Sequence, residues 1–126
     1  MVYMFLNGGA MRGGPLHYLL DGATLLSETT TQPLYRFYSI GDRCPGLAAA
    51  PPGEGVAVAG ELYELPMSVL RDSLLPAEPP ELELGAVALA DGVDSLAMVL
   101  RRSFPGASDL IDISDVASWN RYLESQ

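Results

Sequence analysis

Glu78 stands between Ala77 and the pair Pro79-Pro80 in the stretch LLPAEPPELEL. Prolines stiffen the backbone there, and a carboxylate held still can take and return a proton as a general base or acid. Glu61 is a second candidate. It lies within VAVAGELYEL (56–65), on a strand face otherwise made of Ala57, Ala59, Tyr63 and Leu65. Burial on that face would raise its pKa towards neutrality and suit it to the same work. A different function belongs to Asn7-Gly8-Gly9-Ala10-Met11-Arg12-Gly13-Gly14, which follows the apolar run VYMFL. Glycines after a strand let the chain turn tightly and leave successive N–H groups unobstructed, so that they can converge on a carboxylate or an oxyanion. Arg12 would add positive charge. The plain alternative is an ordinary turn between a strand and a helix.

Several other chemistries lack their residues. All seven basic side chains are arginine, which removes Schiff-base mechanisms and the lysine-dependent phosphate loop. The glycine loop has neither a Lys-Ser/Thr ending nor the strand–helix–strand context with a distal acid that a dinucleotide fingerprint needs. No G-x-S-x-G elbow occurs, and His17 is the only histidine that could serve as a base for a serine or for Cys44. The spacing of His17 and Asp21 fits a surface pair on one helix face. One cysteine and one histidine are too few for a disulfide or a thiolate–imidazole metal centre. Glu81 and Glu83 share a strand face and leave a carboxylate-only magnesium site open, although alternation on an exposed strand gives the same pattern.

The elements that must carry these residues fit one domain of 126 residues, 48% of them apolar. A formal net charge of -9 argues against nucleic acid or an anionic membrane as a partner. Residues 1–6 carry no positive region and no apolar run suffices to span a bilayer, so a soluble cytoplasmic protein is expected. Strands are expected at 2–7, 34–40, 56–65, 82–90 and 95–102. A short helix should run from Pro15 to Asp21-Gly22 and another from Pro66 over PMSVLRDSLL. Residues 41–55 and 75–81 read as loops by their glycine and proline content. A last helix should place Val116, Trp119, Tyr122 and Leu123 on one face, with Asp112 or Ser114 as its cap. Strands joined by turns, without regular βα repeats, predict an α+β fold with a small mixed, mostly antiparallel β-barrel and flanking short helices.

Taken in order, these motifs resemble the γ-glutamylcyclotransferase-like superfamily. Asn7-Gly8-Gly9-Ala10-Met11-Arg12-Gly13 stands where relatives carry Tyr-Gly-Ser/Thr-Leu-Arg-x-Gly, followed by GPLHYLL. QPLYRFY (32–38), Pro45-Gly46-Leu47 and VAGELYEL (58–65) continue the match, which covers residues 2 to 101. The resemblance implies a domain over 1–105 with a helical extension, 106–126, packed on it. It implies that loop amides at Asn7, Gly8, Gly9, Ala10, Met11 and Arg12 bind the substrate carboxylate or an oxyanion. It further implies that a later glutamate, matched to Glu78 with Glu81 or Glu61 as alternatives, moves a proton in a cyclisation that needs no cofactor. The loop departs from the pattern at Asn7 and Gly9, where the tyrosine and the hydroxyl residue are replaced. The chain also resembles the carboxy-terminal domain of allophanate hydrolases, of the same fold, in GGAMRGGPL (8–16) and LPAEPPELELGAVALADG (75–92). That domain's histidine corresponds to Ala10. This second resemblance implies a ligand-binding or assembly module, with a homodimer or a partner enzyme as the associated protein and the tail helix around Trp119 as the docking surface; the plain alternative, favoured because a helix this short needs tertiary contacts, packs Trp119 against the barrel.

Overall fold

β1 (Val2–Leu6) is apolar throughout and takes the centre of a five-stranded sheet ordered β2-β5-β1-β7-β6. The computed structural model describes residues 1–101 and 110–126, and Met4, Phe5 and Leu6 are among its most deeply buried side chains. β1 pairs antiparallel with β5 (Ala59–Leu65), Val2 opposite Leu65 and Leu6 opposite Glu61. On its other side it runs parallel to β7 (Asp94–Leu100), which forms a hairpin with β6 (Leu82–Ala88). The outer strand beside β5 is β2 (Thr24–Thr30), bulged between Leu25 and Ser27. β5 therefore has a neighbour on both edges, and Gly60 to Tyr63 are all buried.

A second sheet, ordered β4-β3-β8, is built from β3 (Tyr35–Ile40), β4 (Cys44–Ala49) and β8 (Leu110–Asp112), all antiparallel. β4 falls inside the segment expected as a loop. Its CPGLAA sequence is admissible because β4 is an edge strand, where Pro45 costs no ladder bond on its outer side. β2 and β8 were likewise not expected. β2 is rich in threonine, a residue that favours strands, but its bulge breaks the simple alternation.

The fold is mixed α+β and mostly antiparallel, yet the two sheets do not close into a barrel. The edges of the larger sheet meet in one bridge, Thr31 opposite Leu89. Immediately after it Pro33, with no N–H, ends the possibility of a ladder and the chain leaves for the second sheet.

The helices are shorter than expected. After Pro15 only a 3-10 turn forms, His17–Leu19, within successive i→i+3 bonds from Gly14 to Met11, His17 to Gly14 and Leu20 to His17. The helix after Pro66 comprises α1 (Met67–Val69), a π-wound turn (Leu70–Leu74) and α2 (Leu75–Ala77), burying Leu70 and Leu74. It runs past the expected end because the wide π turn accommodates Pro76, whose ring would clash with a regular preceding turn. α3 (Trp119–Glu124) is capped by Ser118, whose Oγ accepts from the Arg121 N–H, and not by Asp112 or Ser114. Asp112 instead ends β8 and accepts from the Ser114 N–H at 2.9 Å.

Trp119 and Tyr122 stack 5.7 Å apart and belong to the same core as Phe37, Leu47 and Val58. Trp119 is therefore a packing residue, which removes it as an exposed docking side chain. The expected boundary at 105/106 lies outside the described residues. Among the described residues no helix is long and apolar enough to cross a membrane.

Candidate functional site

Where β1 ends, the chain enters its glycine loop, and the first glycine is required by the second sheet. A Cβ on Gly8 would sit 2.9 Å from the Pro45 ring of β4. Further on, a Cβ on Gly14 would meet the Gly9 carbonyl oxygen at 2.2 Å, so the loop can fold back on itself only with glycine there. The return is closed by Leu16 N–H donating to Gly9 O at 2.9 Å and Met11 N–H to Gly8 O at 3.1 Å. His17 Nδ1 donates to the Ala10 carbonyl at 3.0 Å. The expected helix pairing of His17 with Asp21 is not formed, since that segment is only a 3-10 turn.

Glu61 fixes the outer half of this loop. Its Oε1 accepts from the Arg12 backbone N–H at 2.9 Å and from the Tyr63 hydroxyl at 2.9 Å, and its Oε2 accepts from Arg12 Nε at 3.0 Å. Arg12 also pairs with Glu28. Burial pushes the Glu61 carboxyl up, but the Arg12 backbone and guanidinium bonds and the Tyr63 hydroxyl outweigh it and bring the carboxyl below its ordinary range. The expectation of a raised pKa at Glu61 is thus corrected: a buried acid with three donors favours its charged form. Burial, and then the Glu61 bond, hold the Tyr63 hydroxyl protonated well above its usual range.

With Arg12 bound into this network, the first half of the loop lines a cavity of about 90 Å³. Asn7, Gly8, Gly9 and Ala10 line it, and so does Glu78. Met11 and Arg12 do not line it, and neither do Glu61 and Glu81. The N–H groups of Gly8, Gly9 and Ala10 donate to no acceptor among the described residues. Asn7 is 8% exposed, and its Nδ2 is buried without a partner. The residues that carry these donors line the cavity, with the apolar Phe5, Leu16 and Leu82 beside them.

Glu78 follows α2, in extended backbone. Burial alone raises its carboxyl to about 6. That value leaves a mixed population of acid and carboxylate near neutrality, the condition under which one group can both accept and return a proton. Glu81 pairs through Oε2 with Arg43 Nη2 at 3.1 Å, and Glu83 with Arg101.

Arg43 escaped the sequence reading as a lining residue, and Cys44 was weighed there only as a nucleophile with His17 as its base. Arg43 and Cys44 reach the cavity from the β3–β4 turn and the start of β4. Their only signal was the Gly41-Asp42 turn pair, which does not reveal that β4 lies against the loop after β1.

Comparison with known proteins agrees with this fold. A family model described as the allophanate hydrolase C-terminal domain matches residues 2–124. No curated protein sequence matches the chain. Among solved structures, the chain is similar to c4763, a uropathogenic E. coli-specific protein, at 30% identity and TM-score 0.88, covering 99% of this chain and 97% of that one. It is similar to Kluyveromyces lactis allophanate hydrolase at 26% identity and TM-score 0.89, over 98% of this chain but 21% of that one. The chain thus spans about a fifth of that enzyme's length. An AIG2-like protein from Mus musculus shares the fold at 22% identity and TM-score 0.62, covering 86% of this chain and 82% of that one. With the family model matched over nearly its whole length, the chain belongs to the allophanate hydrolase C-terminal domain family.

Proposed function

We propose that this protein is a cofactor-independent acid/base catalyst acting on a small amide or amine that carries a carboxylate or carbonyl oxygen. The observation that carries the reading is the meeting of Glu78 with Asn7, Gly8, Gly9 and Ala10 in one cavity. Glu78 takes a proton from the substrate amine, whose nitrogen attacks the amide carbonyl carbon of the same molecule. Negative charge then gathers on the carbonyl oxygen, and the loop N–H groups and Asn7 Nδ2 donate to it, the arrangement that stabilises such charge most efficiently in a site screened from water. The intermediate collapses with cleavage of the carbon–nitrogen bond, and Glu78 returns its proton to the departing amine. No atom is left over, and no metal or cofactor enters these steps.

The test is turnover on a panel of γ-glutamyl amides and ureido acids, with release of the amine followed by mass spectrometry. Glu78→Gln is expected to lower the rate by about two to four orders of magnitude with folding intact. Full activity in that variant removes Glu78 from the reaction.

The share of allophanate hydrolase that the chain covers favours a second reading, a ligand-binding module serving a larger enzyme. It predicts ligand binding with no turnover in either form.

A further inference from the structure

Tyr122 carries a hydroxyl that the packing of the tail does not need. Its ring is buried and stacks on the buried Trp119, and the residue that enters α3 is tied to β5 by the Ala59 N–H, which donates to Ala117 O at 2.9 Å. The hydroxyl reaches instead to the turn between β3 and β4, where it donates to Asp42 Oδ1 at 2.6 Å. That turn contains two consecutive left-handed residues, Gly41 (φ 57°) and Asp42 (φ 58°). A left-handed residue with a side chain persists where its surroundings enforce it. Asp42 is exposed, but the groups that hold it come from buried residues. Ser39 Oγ donates to the same Oδ1 at 2.7 Å and accepts from the Asp42 N–H at 3.1 Å. The Tyr122 bond, and then that of Ser39, bring the Asp42 carboxyl below its ordinary range, so both hydroxyls act on a charged acceptor.

The three residues that follow Asp42 give this contact a consequence. Arg43, Cys44 and Pro45 are all that the β3–β4 segment contributes to the cavity lining among the described residues. Pro45 lies against Gly8, on which a Cβ would come within 2.9 Å of its ring. β4 is an edge strand paired only with β3, so no second strand fixes its first residues. The turn is what sets them, and a displaced turn would displace the wall.

We propose that Tyr122 is a positioning residue for the cavity: through Asp42, its hydroxyl fixes the β3–β4 turn and with it the wall formed by Arg43, Cys44 and Pro45. The inference rests on the reading above that this cavity is the working site, but the contact itself can be tested without any turnover.

Cys44 is the only cysteine of the chain, which makes it a reporter within that wall. Its reaction with a chromogenic aromatic disulfide is followed by absorbance on the full chain in native buffer. Tyr122→Phe keeps the ring and removes only the hydroxyl. It should speed labelling about tenfold, the weight of one hydrogen bond to a charged group, with the circular dichroism spectrum unchanged. Asp42→Gly, whose backbone accepts the left-handed region unaided, should label as fast, and adding Tyr122→Phe to it should bring no further gain. Asp42→Asn keeps the acceptor oxygen and should stay nearest to wild type. On a substrate that the wild type turns over, Tyr122→Phe should raise KM more than it lowers kcat, because Glu78 and the loop amides lie outside the turn. Labelling of Tyr122→Phe at the wild-type rate, or additive effects in the double variant, overturns the proposal. Faster labelling of Tyr122→Phe with no turnover in any form would remove the catalytic reading and uphold the positioning. Unchanged labelling with turnover lost in Glu78→Gln would do the reverse.

Discussion

Glu78 is a carboxylic acid in surroundings that favour its neutral form, and this has consequences for both rate and stability. Burial lifts its pKa to about 6, whereas an unfolded glutamate titrates at about 4.3. Between these values the folded chain holds more protons than the unfolded one. Glu78 therefore contributes its full stability below about pH 4.3, and that contribution is lost as pH rises through about 6. Glu78→Gln should accordingly be more stable than wild type at pH 8, by on the order of 2 kcal/mol, and equal to it at pH 4. Urea unfolding at the two pH values measures the difference. If the group works as a base, the wild-type rate should rise over the same interval in which its stability falls. At Glu61 the sign is opposite. Three donors lower its pKa, so its contribution is present above the unfolded value and lost as pH falls through the folded one.

The glycine loop depends on partners distant in sequence. Gly8 makes room for Pro45, Gly14 for the loop's own carbonyl, and Glu61 of β5 grips Arg12 by backbone and side chain. Removing the Glu61 carboxylate leaves the Arg12 N–H and the Tyr63 hydroxyl without their acceptor. Glu61→Ala should cost roughly 2–3 kcal/mol, the range for hydrogen bonds to a charged group. Amide hydrogen exchange should show the loss concentrated at residues 8–16, with β3 and β4 little changed. Uniform loss of protection would mean that Glu61 supports β5 and not the loop. The loop was legible in the sequence as a cluster of glycines after an apolar strand. Which of its amides remain available was not, because that depends on which carbonyls and carboxylates the turns of the chain bring within reach.

Across the whole molecule, the cavity lies where the end of β1 in one sheet meets the start of β4 in the other, and α3 stabilises that meeting from outside it. Trp119 is 4% exposed and stacks on Tyr122, whose hydroxyl reaches Asp42. Trp119→Ala should lower unfolding stability by about 3–5 kcal/mol in urea denaturation, the usual cost of emptying a buried aromatic site. A change below 1 kcal/mol would show that the tail rests on the surface and leaves the fold indifferent to it. Because the tail also holds the β3–β4 turn, residues near the carboxy terminus influence a pocket whose inner wall is built by residues 5–10 with Pro15 and Leu16.

The sequence by itself determined the apolar strands β1, β3 and β6, the glycine loop, the two candidate acids and the mixed, mostly antiparallel class. These follow from local patterning and from glycine and proline chemistry, which act over a few residues. Only the tertiary structure decided that Glu61 is an anchor held in its charged form, that Glu78 shares a cavity with the loop, and that Arg43 lines it. The same holds for β4, a strand with a proline at its second position that is possible only at a sheet edge, and for the unclosed barrel. Proton affinity, edge position and the convergence of side chains all depend on groups far apart in the chain. Local propensity contains no record of those distances.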